Sequence, residues 1–184
     1  MRADFRVVLD ACVLANFGVA NLLLLLAEKP RLYLPVWSEE ILAETRRTQE
    51  TRLSWPVELA ESFGSEMRRV FPESLAEGFS HLLGDCANDE KDRHVLACAI
   101  QSKAEIILTF NLRHFPENAL KPWGVKALHP QDYLLTLFAL EPLHVMHQLG
   151  GIAEKRGCTL ADHLIDLGKF LPAFSARLLD ELES

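Results

Sequence analysis

The chain has 184 residues, of which 49% are hydrophobic and 24% charged, with a formal net charge of −7. That length suits one domain, or one domain with a small appendage, and buries a sizeable core. The charge argues against holding nucleic acid by bulk electrostatics, which needs clustered Lys and Arg, although it leaves a nuclease open; no apolar run is long enough to cross a bilayer, and Asp4 and Asp10 interrupt any secretory signal pattern, so a cytoplasmic protein with no membrane partner is expected.

Arg6 to Leu9 predicts an apolar strand ending at Asp10, followed by a helix over Gly18 to Ala27 and a short strand at Leu32 to Leu34. Ser38 predicts the cap of a helix through about Arg47, because its hydroxyl can accept an orphan backbone amide. Pro56 opens another helix with Leu59, Phe63, Met67 and Val70 as its apolar stripe, and Pro72 ends it. Gly84 to Asp89 reads as a loop, and Asp89 can cap a helix reaching about Ser102. A strand at Ile106 to Phe110, running into Asn111, and a short one at Val125 to Leu128 complete the first part.

From His129 the pattern is helical only: Pro130 to Leu140, Pro142 to Arg156, Leu160 to Phe170 and Pro172 to Glu183. Three of these begin at proline, Gly157 can stop the second, and Thr159 with Asp162 has the spacing of a capping box. The expectation is an α/β domain at 1–128 with a central parallel sheet, and a helical C-terminal subdomain at 129–184. The four cysteines, Cys12, Cys86, Cys98 and Cys158, lack metal-site spacing and read as buried thiols.

Asp10 and Asn111 end predicted strands, while Glu44 and Asp92 lie on helices packing beside them. In an open α/β sheet, side chains gathered beyond the carboxyl ends of the strands meet one another and a ligand. Crowded carboxylates repel unless a cation neutralises them, so this convergence points to a metal site. Asp92 shares a helical stripe with Leu96, Ala99 and Ile100, which places a carboxylate on a buried face. The bland readings are an N-cap for Asp10, a first-turn acid for Asp92 and a solvated helix acid for Glu44. Arg46, Arg47, Arg93 and Arg113 lie near these acids in sequence and are candidate phosphate contacts, as is Lys91 on the same basic rim. His144, His147 and His163 form a weaker constellation with no carboxylate or thiol to complete a site.

The segments Val7 to Leu14, Glu40 to Glu44, Asp89 to Ala97 and Thr109 to Pro116 resemble the successive motifs of PIN-domain nucleases, in the family's order, across about residues 5–128. The nearest likeness is to VapC-type toxins carrying an extra helical C-terminal segment. The resemblance implies a three-layer α/β/α PIN fold, dependence on Mg²⁺ or Mn²⁺, and endoribonuclease activity, with Asp10, Glu44 and Asp92 as the metal-binding acids. It also implies an RNA substrate, a cognate antitoxin and a homodimer. Two departures stand out. The family's fourth acid would fall at Asn111 or His114, and Ala11 lacks the hydroxyl often found beside the first acid; Asn111 offers only an uncharged amide oxygen, so one metal should dominate. An alternative is a weakened PIN-like module that binds RNA or a protein without cutting. A haloacid-dehalogenase-like phosphatase would need an aspartate where Cys12 stands.

Overall fold

The computed structural model describes residues 5–183; Met1 to Asp4 and Ser184, which belong to the two expected domains, lie outside the described residues. Four parallel strands, β1 (Arg6–Leu9), β2 (Leu34–Val36), β3 (Ile106–Leu108) and β4 (Lys126–Leu128), form one sheet in the order β2-β1-β3-β4. Helices flank it, so the fold is α/β, as expected, and is consistent with a PIN-like architecture. The central pair sets Val7, Val8 and Leu9 against Ile106, Ile107 and Leu108. Val7 to Leu9 are wholly buried, the condition of a parallel strand covered on both faces. The chain leaves β1 toward β2 on one side and later enters β3 on the other. That reversal of strand order opens a crevice at the carboxyl ends of β1 and β3.

Ten helices are described: α1 (Ala11–Ala15), α2 (Phe17–Ala27), α3 (Glu39–Thr51), α4 (Val57–Val70), α5 (Arg93–Ser102), α6 (Glu117–Leu120), α7 (Pro130–Leu140), α8 (Pro142–Arg156), α9 (Leu160–Leu167) and α10 (Pro172–Glu183). The Ser38 hydroxyl caps α3, accepting from Ile41 N at 3.2 Å. The capping box of Thr159 and Asp162 forms at the start of α9. One continuous apolar cluster links the sheet to the C-terminal helices, including Val8, Leu108, Leu137, Leu149 and Phe174, with α8 packed on α2. Among the described residues no helix is long and apolar enough to cross a membrane.

Several boundaries move. The second strand lies at Leu34–Val36 rather than Leu32 to Leu34, with Pro35 opposite Val7. Its place at the sheet edge tolerates a residue that cannot donate to the ladder. β3 stops at Leu108 rather than Phe110, because the Thr109 hydroxyl turns toward Asp10 and accepts from Asn111 N at 3.0 Å. Helix α3 runs one turn beyond Arg47, and α9 ends at Leu167, three residues before Phe170. Helix α1 was not expected; Asp10 caps it and the Asn16 cap of α2 interrupts the pattern.

Candidate metal centre

Asp10 leaves the end of β1 with its amide still bonded to Leu108 O at 3.1 Å, so the ladder fixes its position. The side chain is only 3% exposed. Its Oδ1 accepts from Ala11 N at 2.7 Å, and its Oδ2 accepts from the Thr109 hydroxyl at 2.6 Å and the Cys12 thiol at 3.1 Å. A carboxylate offers about four acceptor positions, so three donors leave roughly one for a further ligand. Burial, reinforced by the Asp10 charge, pushes the Cys12 thiol up to about 12, which keeps it an S–H donor at neutral pH. The capping role and the site role of Asp10 therefore coexist.

Asp92 sits where a short 3-10 turn (Glu90–Asp92) meets α5, without a side-chain cap bond of its own. The preceding Asp89 does the capping, accepting from Lys91 N at 3.1 Å. Burial raises the Asp92 carboxyl above its ordinary value, the Asp10 charge adds to this, and the hydrogen bond from His114 opposes both. Arg113 Nε donates to His114 Nε2 at 3.2 Å, so the neutral ring carries its proton on Nδ1, 2.8 Å from Asp92 Oδ2. Among the described residues, Asp89, Asp92 and His114 are the one trio of His, Cys, Asp or Glu whose ligand atoms all lie within 4.8 Å of one another.

Glu44 approaches from α3, with its Oε2 3.4 Å from His94 Nε2, an ion-pair separation without hydrogen-bond geometry. Burial works against protonating His94, but Glu44 and then Asp10 outweigh it and raise its pKa. Asp10, Glu44, Asp92 and Asn111 all line one cleft of about 360 Å³, together with Ala11, Cys12, Arg47, Thr48, Thr51 and Arg52. Asp10 and Glu44 are not part of the tight trio around Asp92, so a cation touching all three acids would need bridging water or side-chain rotation. Asn111 stands at the start of a 3-10 turn (Leu112–His114) beyond β3.

The expected phosphate contacts separate. Arg47 lines the cleft. Arg46 instead pairs with Glu50 at 2.6 Å and Glu61 at 2.9 Å, beside the groove between α3 and α4. Arg93 lies near the Cys86 thiol and lowers its pKa against the larger effect of burial, and Arg113 is engaged by His114. His144, His147 and His163 do not gather into a ligand set among the described residues; His163 Nδ1 instead accepts from Arg156 Nη1 at 2.7 Å. Cys12, Thr109, Asp89 and Arg52 were missed as site residues. The first two stand one turn or one strand-end from Asp10 and Asn111, a signal visible only once β1 and β3 are known to be neighbours.

Asp10, Glu44, Asp92 and Asn111 offer carboxylate and amide oxygens, the ligand chemistry of a hard divalent cation, with the His114 nitrogen beside Asp92. Burial first, and then the Asp10 charge, raises the Asp92 carboxyl, and a cation would relieve the second of these. The residues present could hold a metal ion.

The chain is 45% identical over 87 residues to a Mycobacterium tuberculosis (strain ATCC 25618 / H37Rv) protein named "Putative ribonuclease VapC50". The match covers 46% of this chain and 51% of that protein, so it spans about half the length of the relative. No family model matches the chain, and no solved structure matches it.

Proposed function

We propose that this protein is a metal-dependent endoribonuclease of the VapC type, the toxin of a toxin–antitoxin pair that cuts single-stranded or looped RNA. The observation that carries this reading is the meeting of Asp10, Glu44, Asp92 and Asn111 in one cleft at the carboxyl ends of β1 and β3, and the likeness to a protein named a ribonuclease supports it. In the same reading RNA is the substrate, a cognate antitoxin protein holds the enzyme inactive, and the chain pairs as a homodimer. Residues 1–128 carry the chemistry, and residues 129–184 form a helical layer that serves stability or partner binding.

Asp10, Asp92 and Glu44 would hold the cation by their carboxylates, with Asn111 offering its amide oxygen. Bound there, Mg²⁺ or Mn²⁺ lowers the pKa of a coordinated water and offsets charge on the leaving oxygen. Thr109 and Cys12 fix the orientation of the Asp10 carboxylate by donating to its Oδ2. His114 does the same for Asp92 through its Nδ1–H.

An end-labelled single-stranded oligoribonucleotide, incubated with the protein in Mg²⁺ or Mn²⁺, tests the reading. Internal cleavage is expected, stopped by chelator and reduced to background by Asp10→Asn. RNA binding without cleavage would favour the non-cutting PIN-like module, for which the missing fourth acid is the motive, and cleavage persisting in Asp10→Asn would overturn the proposed site.

A further inference from the structure

The arginines around the acidic cleft differ in one respect that the sequence hides. Arg46 is paired with Glu50 and Glu61, Arg68 with Glu39, and Arg113 with the His114 ring. Arg47 and Arg52 are exposed, line the cleft itself, and make no side-chain hydrogen bond or ion pair among the described residues. Between them on α3 lie Thr48, whose hydroxyl makes no hydrogen bond among the described residues, and Thr51, whose hydroxyl donates to Arg47 O at 2.7 Å.

Resting on the ribonuclease reading, we propose that Arg52, together with Arg47 and the Thr48 hydroxyl, seats the backbone phosphates of the RNA strand where it leaves the acids and runs along the last turns of α3. Three observations carry this. An unpaired guanidinium is a bidentate phosphate donor that need not first break an ion pair. The charged residues lining the cleft are Asp10, Glu44 and Asp92 against Arg47 and Arg52, and the sign changes along α3: Glu44 precedes Arg47 by three residues, and Arg52 stands at the C-cap of the same helix, away from the strand end that carries Asp10. A polyanion entering this cleft is therefore repelled at one end and drawn to the other, which sets its direction. Finally, five residues of helix separate the two guanidinium-bearing positions by roughly 7.5 Å along the axis, enough to engage different phosphates of one strand. The structural alternative is that both cations merely complement the negative end of the α3 dipole.

Fluorescence anisotropy of a labelled single-stranded oligoribonucleotide, in chelator so that no cutting occurs, separates these accounts. Affinity is measured across a salt series for the wild type, Arg52→Gln, Arg47→Gln and the remote Arg177→Gln. Each lost phosphate contact should flatten the slope of log affinity against log salt by about 0.7. Arg52→Gln and Arg47→Gln should each do so, weakening binding alike for different RNA sequences, while Arg177→Gln leaves the slope unchanged. Thermal melting of the same variants reads the dipole alternative. If Arg52→Gln lowers the melting temperature but keeps wild-type affinity and slope, the phosphate seat is overturned while the nuclease reading stands. If the wild type binds no RNA at all, both fall together.

Discussion

The C-terminal helices and the acidic cleft handle charge in opposite ways. In the helices, charges meet partners: Asp166 takes Arg156 at 2.8 Å and Lys169 at 3.0 Å, Arg177 takes Glu181 at 2.6 Å, and Thr159 with Asp162 closes the start of α9. At the cleft, three acids are gathered, and the two arginines that line it pair with none of them. Burial and then the Asp10 charge raise the Asp92 carboxyl, and Arg47 and Arg52 stay unpaired among the described residues. Surface pairs of the first kind are individually worth little. The contrast teaches that the arginines of the cleft forgo the ion pairs that charged residues of the C-terminal helices make, which is where a binding role is expected to lie.

The strongest way to break this contrast is at Asp10, which belongs to both categories. Asp10→Ala removes the acceptor for Ala11 N, the Thr109 hydroxyl and the Cys12 thiol at a buried position. A loss of about 2–3 kcal/mol is expected in urea unfolding, since buried donors are left without partners. If the variant is as stable as the wild type, Asp10 is not the structural anchor described here, and the contrast between the two regions sharpens into a purely functional one.

A smaller effect separates the regions by pH. His163 on α9 is buried, and burial first, then the Arg156 charge, holds its pKa below the ordinary value against the pull of Asp166. A histidine depressed in the folded state contributes stability that is present above its unfolded pKa, about 6.5, and is lost as pH falls through the folded value. Melting temperature should therefore drop on acidification below about pH 6.5 more steeply in the wild type than in His163→Gln. Identical pH profiles would mean that His163 is not held neutral by its surroundings.

Much of the scaffold was legible in the sequence because its signals are local. Pro130, Pro142 and Pro172 mark helix starts that the structure places at those residues, and the apolar run of β1 ends at Leu9 as read. What was not legible depends on contacts across the sheet. The early end of β3 follows from Thr109 bonding Asp10 across 99 positions of chain, and the separation of Arg46 from Arg47 follows from where α4 packs on α3. Neighbouring arginines on one helix look equivalent until the opposing helix supplies Glu61 to one and the cleft receives the other. That Asp10, Glu44, Asp92 and Asn111 would share one cleft was legible because strand ends and helix faces can be read by periodicity, whereas Cys12, Asp89 and Arg52 sit in patterns that carry no such mark.

The central claim is that the acids of the cleft share a divalent cation, and a direct Mn²⁺ titration followed by the paramagnetic resonance signal of the free ion tests it without relying on cleavage. The account predicts saturable binding to the wild type that weakens at least about tenfold in Asp92→Asn, because the variant loses a charged oxygen ligand at the point where Asp10 and His114 also converge. Equal Mn²⁺ affinity in the two proteins, with both folded, would contradict it.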